Sequence, residues 1–312
     1  METRIAGDIL PLVSEHLNHI GDQGRLILFL YTPGGDIIAG WGLVNLIRQY
    51  CEKFAVLVPF RALSCGTLIA LGADEIIMGR HGLLSPVDPS VSSPFNPNLN
   101  VGGQSQLLPV SVEDLIGYLD LARKEAGVEP EQMIEVLKIL ADKVHPLALG
   151  AVYRAREQSA NLAKRLLERH LTDTELVGRI VKTLTEELPT HSYLIGRREA
   201  SKDIGIPVQE AAPKVDSLMW ELYKEYEQWL KLTQPLSPDL DLGDSQQMKT
   251  KYYRAVIESR QDQGLHQHLF ISDVLWLKMR NTPPGLPGPV EQIARRNLYE
   301  GWVSAQNDQA IS

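Results

Sequence analysis

Residues 26–36 read LILFLYTPGGD, and residues 54–78 read FAVLVPFRALSCGTLIALGADEIIM. Leu26 to Tyr31 and Phe54 to Pro59 are unbroken apolar runs of strand length, each followed by a turn-forming stretch. A run without polar alternation suits a strand buried on both faces of a sheet. The paired glycines Gly34 and Gly35 let the chain turn sharply after the first run. Between the runs lies a helical pattern from Asp36 to Tyr50, with Asp36 placed as its N-cap. A second helix is expected from Ser64 to Ala73, a third strand at Glu75–Met78 and a fourth at Leu83–Leu84. This β-α-β-α-β rhythm predicts an α/β fold with a parallel sheet. In such folds functional groups gather at the carboxyl ends of the strands, where Thr32–Asp36 and Ala62–Gly66 both sit.

Outward from this core the pattern changes. Ile9, Leu10, Val13, Leu17 and Ile20 repeat with helical period. Residues 86–110 are rich in Pro, Ser, Asn and Gly and read as a surface loop or lid. Helices are expected over 111–126, 130–140 and 146–169, a short strand at 193–195 and a short helix after Gly196. Beyond about residue 210, Trp220, Leu222, Tyr223, Tyr226 and Trp229 mark an amphipathic helix. An acidic linker then spans 234–246, and PPGLPGP at 283–289 reads as a rigid loop. The expected organisation is a catalytic domain over 1–210 and a mainly helical extension over 211–312.

Composition excludes several classes of function. Thirty-one basic against 39 acidic residues leave a net charge of −8, with no basic run to follow a nucleic-acid backbone. Two cysteines, Cys51 and Cys65, make no disulfide framework and show no metal spacing. No apolar stretch is long enough to span a membrane, and no basic segment with an apolar core marks a signal peptide. A cytoplasmic protein is expected.

Two turns carry the chemistry. Thr32-Pro-Gly-Gly-Asp36 leaves backbone N–H groups facing open space, and the Gly35 N–H is a candidate oxyanion donor. Ala62-Leu-Ser-Cys-Gly-Thr67 puts Ser64 at a helix N-terminus, where orphan N–H groups stabilise negative charge. The Cys65 N–H is the second candidate donor. Ser64 is equally a good helix N-cap, which needs no further task. The Cys65 side chain is expected to point into the core. His266 and His268 are spaced as alternating strand positions. They are two donors without a third nearby in sequence, so no metal is expected, and no cofactor either.

Taken together, the two turns and their spacing resemble the Clp/crotonase superfamily. The segment is most similar to the serine dehydrogenase proteinase family, a Clp-class peptidase family related to signal peptide peptidase A. The resemblance rests on Thr32–Asp36, Ser64–Ala70, Ala73-Asp-Glu-Ile76 and Leu84-Ser-Pro-Val-Asp-Pro89. Similar stretches follow at Lys143–Gly150, His191–Gly196 with Glu199-Ala200, and Ala255–Ser259. It implies a crotonase-like spiral of βαβ units and a peptidase acting on peptide or protein substrates. It also implies Ser64 as nucleophile, an oxyanion hole from Gly35 and Cys65, and a homo-oligomer. No docking loop for an unfoldase ATPase stands out.

A serine nucleophile needs a base. The histidine and aspartate of the Clp proteolytic subunit correspond to positions near Val87 and Ser192, which carry neither residue. The signal-peptide-peptidase relatives use lysine, and Lys143 stands in a comparable place before a long helix. A lysine base requires burial to bring its pKa down. His191 is the second candidate and His145 the third, although His145-Pro146 reads as a helix entry. His81 belongs to a turn, and Asp88 reads as a loop anchor. The competing readings are an acyl-thioester enzyme that uses the same oxyanion hole and an inactive oligomeric scaffold.

Overall fold

The computed structural model describes residues 3–87, 90–91, 94–101, 104–108, 110–234, 237–238, 242–261, 264–281 and 290–305. The chain divides into two compact units. One comprises Arg4–Gly7 with Gly24–Asp216; the other comprises Met1–Thr3, Asp8–Gln23 and Ser217–Ser312. Helix α1 (Ile9–Ile20) belongs to the second.

The first unit is the expected α/β assembly. Strand β1 (Gln23–Phe29) leads to helix α2 (Ile37–Ile47), β2 (Cys51–Val58), helix α3 (Cys65–Leu71) and β3 (Glu75–Met78). The sheet order is β1-β2-β3-β10, where β10 is Val208–Glu210, and β3 runs parallel to both of its neighbours. Interior position explains β2: Phe54, Ala55, Val56 and Val58 are fully buried. The run at 26–31, expected to be buried on both faces, belongs instead to the edge. Strand β1 has a single neighbour in the sheet, and its Ile27 is 53 % exposed.

Short polar devices fix where the helices start and stop. Asp36 accepts the Ile38 N–H at 2.8 Å and caps α2 as expected. At the far end of α2, Arg48 reaches the Gly72 carbonyl and the Asp74 carboxylate. Burial alone would raise the Asp74 pKa. The Phe54 N–H and the Arg48 guanidinium outweigh it and hold the carboxyl below its ordinary value.

Short strand β4 (Leu83–Leu84) leaves the main sheet. Residues 86–110, expected as loop, contain two antiparallel ladders: β5 (Ser90–Val91) with β8 (Val110–Ser111), and β6 (Asn98–Val101) with β7 (Gln104–Leu107). Asp88 lies outside the described residues. Helices follow: α4 (Val112–Asp120), extended by a π turn, then α5 (Met133–Lys143) and α6 (Pro146–Leu167). Next come α7 (Thr174–Lys182), β9 (Ile195–Gly196) and the short α8 (Arg197–Glu199). Helix α7 is capped by Asp173, which accepts the Glu175 and Leu176 N–H groups. Leu166, Leu167, Ile180 and Leu184 join the fully buried core. No helix among the described residues is long and apolar enough to cross a membrane.

The second unit differs from its sequence reading. Helix α9 (Pro213–Trp229) is present, most of it in this unit, but most of the described residues beyond it are β structure, where a mainly helical extension was expected. Strands β11 (Gln247–Gln261), β12 (Gly264–Asn281) and β13 (Val290–Ser304) form an antiparallel meander. Stretches such as HLFISDVLWL are dense in β-branched and aromatic residues, which suit a packed pleated surface better than a helix. Leu269, Ile271 and Val303 bury one cluster, and Tyr252, Val274 and Trp276 bury another. The 283–289 stretch lies outside the described residues, as do parts of 234–246.

The α2–α3 contact is close enough to test. A Cβ on Gly40 would lie 2.5 Å from the Cys65 sulfur, and Cys65 is fully buried. Gly40→Ala gains about 1 kcal/mol of helix propensity but overpacks a rigid contact at a cost of about 1–3 kcal/mol or more. Urea titration is expected to show net destabilisation, largely recovered when Cys65→Ala is added.

Candidate active site

A row of short pairings crosses the carboxyl ends of the strands. Ile5 bridges Gly35, Thr32 bridges Ala62, and Arg61 bridges Leu83, each in parallel. Leu83 and Leu84 then pair antiparallel with Gly196 and Ile195. The bonds are short. The Thr32 N–H donates to the Arg61 carbonyl at 2.8 Å, Leu63 to Thr32 at 3.1 Å, and Ala62 to Leu83 at 2.9 Å. This row lays the glycine turn at 32–36 against the serine turn at 62–66.

The glycines are dictated by contact. A Cβ on Gly34 would meet the Ser64 Cβ at 3.0 Å, and one on Gly35 would strike the Ile5 backbone at 2.1 Å. A Cβ on Gly66 would stand 2.5 Å from the Thr32 methyl. Thr32 ties its own turn, its hydroxyl accepting the Gly34 N–H at 3.1 Å.

Ser64 precedes α3 with φ +50° and ψ −109°. This left-handed backbone is strained for a residue with a Cβ. Its side chain makes no capping bond, so the N-cap reading of the sequence is not realised. The backbone is held from behind. The Ser64 N–H donates to the Ser85 hydroxyl at 2.7 Å, and Ser85 donates in turn to the Pro86 carbonyl. The Thr67 hydroxyl accepts the Ser85 N–H at 3.0 Å and donates to the Ala62 carbonyl. Ser85 and Thr67 are buried, and neither was assigned a role from the sequence. The signals for Ser85 are its place in the Leu84–Pro89 stretch and a short polar side chain directly after a two-residue strand.

Among the described residues, no bond engages the N–H of Gly35 or of Cys65. The Cys65 side chain points inward, as expected. Its thiol donates to the Asp36 carbonyl at 3.1 Å, and burial pushes its pKa up to about 12. It is a core group rather than a nucleophile.

The candidate bases fall in different places. Lys143 ends α5 on the surface, its ammonium 2.9 Å from the Asp142 carboxylate, which raises its pKa. That is the reverse of the desolvated, lowered lysine a base requires, so the expectation for Lys143 is corrected. His145 is the N-cap of α6, its Nδ1 accepting the Leu147 N–H at 3.2 Å. His81 is exposed in a turn. His191 lies four residues before Ile195, whose partner Leu84 adjoins Ser85.

Residues 20–146 match the ClpP-like SDH-type serine proteinase family. The uncharacterized protein MJ0137 of Methanocaldococcus jannaschii is 30% identical over 198 residues, 64% of this chain and 58% of its own. The uncharacterized protein MJ1495 of the same organism is 28% identical over 198 residues, 64% of this chain and 56% of its own. The chain thus spans less than two thirds of the length of these relatives. A structure of the 1510-N membrane-bound stomatin-specific protease is similar at 16% identity and a TM-score of 0.40, over 70% of this chain and 79% of that one. The similarity to the ClpP-like SDH-type serine proteinases lies in residues 20–146, the part of the chain that carries both turns.

Proposed function

We propose that the protein is a serine peptidase that hydrolyses peptide bonds through an acyl-enzyme on Ser64. The observation that carries this reading is the strained backbone of Ser64, φ +50° and ψ −109°, with its hydroxyl withheld from the helix cap. A serine on a strained strand-to-helix turn, followed by an unspent N–H, is the arrangement of a nucleophile elbow. Strain of this kind persists only where the surroundings over-determine it, and here Ser85 and Thr67 do so.

In this reading the Ser64 Oγ attacks the scissile carbonyl carbon while His191 takes the hydroxyl proton. The Gly35 and Cys65 N–H groups receive the charge that develops on the carbonyl oxygen. Collapse of the tetrahedral intermediate breaks the C–N bond, and His191 returns the proton to the leaving amine. Water then adds to the acyl-enzyme by the same route and frees the acid. The substrate is a peptide or protein segment.

We infer further that the chain works as a homo-oligomer. Ile27 on the edge strand and Ile134, Leu137 and Ile139 on α5 are each about half exposed or more. Apolar groups of that size left in water favour burial against another copy. Light scattering is expected to give a mass that is a multiple of 34.8 kDa. A strictly monomeric mass at working concentration overturns this part.

Fluorophosphonate labelling with peptide mapping tests the nucleophile. One adduct is expected on Ser64, absent in Ser64→Ala and slowed about a hundredfold or more in His191→Ala. A folded protein that takes no label, or takes it elsewhere, refutes the peptidase mechanism.

Melting curves separate the elbow from a helix cap. For an elbow, Ser64→Ala changes stability by less than about 0.5 kcal/mol and Ser64→Gly stabilises by about 1 kcal/mol. A cap would instead lose about 1 kcal/mol with Ala and only a few tenths with Gly.

A further inference from the structure

The second unit holds a cluster of imidazoles that takes no part in the peptidase chemistry. His266 and His268 stand two apart on β12 and so share one face of the strand. His16 from α1, some 250 residues away in sequence, is the third member that the linear sequence did not show. One ring nitrogen of each lies within 4.8 Å of the others. The His16 Nε2 and the His268 Nδ1 are only 3.1 Å apart. Two nitrogens on one tetrahedral ion, each about 2.0–2.1 Å from it, would stand about 3.3 Å apart. The rings are also close, with His16–His266 centroids at 4.4 Å and His266–His268 centroids at 5.1 Å.

The groups around the cluster are those that orient metal ligands. The His16 Nδ1 lies 2.7 Å from the Ser259 hydroxyl on β11. A proton donated there leaves the Nε2 lone pair facing the other two rings. The Glu15 carboxylate lies 3.2 Å from the His266 Nε2 and 3.8 Å from the His268 Nε2, and supplies negative charge beside them. His19 completes the near surroundings, its ring 5.6 Å from that of His266. Ser259 and His266 are directly opposed in the β11–β12 register, so the hairpin itself presents both an orienting group and a ligand.

Burial makes a purely structural cluster costly. His16 and His268 are almost fully buried, and protonated rings at these distances would repel one another. Three neutral rings carry one lone pair each, and the 3.1 Å contact between His16 and His268 takes up only one of them. A divalent cation resolves both problems at once. Imidazole nitrogens with a nearby carboxylate suit zinc among the common divalent ions.

We propose that His16, His266 and His268 bind one zinc-class divalent cation, with Glu15 and Ser259 supporting them, and that the ion clips α1 to the β11–β12 hairpin. The site is structural and independent of the peptidase reading.

The full chain, stripped with chelator and dialysed, is titrated with zinc chloride in a calorimeter and melted with and without zinc. One equivalent is expected to bind, with a higher Tm. Cobalt(II) in its place is expected to give the visible absorption of a tetrahedral nitrogen-rich site. His266 is only half-buried, so His266→Ala is expected to fold, to melt as metal-free wild type does, and to lose at least tenfold in zinc affinity. Ser259→Ala is expected to weaken binding by about tenfold through His16 alone. A folded wild type that takes up no zinc overturns the proposal. So does zinc uptake that is equally strong in His266→Ala and in His268→Gln.

Discussion

The bond from the Ser64 N–H to the Ser85 hydroxyl, 2.7 Å long, is where the first unit comes to its point. The backbone at residue 64 must pass through a conformation that side chains avoid, and an isolated turn would relax out of it. Here relaxation would break that bond and, through Thr67, disturb the start of α3. The row of pairings from Ile5 to Gly196 supplies the rigid frame on which this rests. Each strand end in the row is held by the next, so the two turns cannot drift apart without unzipping several bonds.

The glycines follow from the same constraint. Gly34, Gly35 and Gly66 lie where the Ser64 side chain, the Ile5 backbone and the Thr32 methyl leave no room for a Cβ. Gly40 admits the Cys65 sulfur between α2 and α3. The TPGG and SCG elements are therefore parts of one packed object, although residues 36–63 separate them in sequence. This is why the resemblance to a peptidase family was carried by two short turns at a set distance rather than by either alone.

Much of the first unit was legible because its signals are local. The apolar run of β2, the Asp36 cap and the Glu75–Met78 strand lie within a few residues of their causes. What escaped depended on distant partners. The edge position of β1 is decided by which strands pair, and nothing within 26–31 records that. The role of Ser85 depends on a backbone N–H 21 residues upstream. Lys143 stands before a helix as a lysine base would, but its neighbour Asp142 and its exposure hold it as an ammonium. The C-terminal meander is decided by pairing between long strands, which the helical spacing of the aromatics in α9 does not announce. His16 could not be linked to His266 and His268 by any spacing rule, since the fold alone brings them together.

The inward turn of Cys65 has a consequence for how such a site meets a hostile environment. Its sulfur sits one residue from the proposed nucleophile, yet burial keeps it a thiol, with a pKa near 12, and the Asp36 carbonyl occupies its proton. Peroxides and soft electrophiles react with thiolates, and they find none at this turn. The chemistry there is thereby set apart from the redox state of its surroundings, and a sulfur atom serves as filling where in another orientation it would be a point of damage.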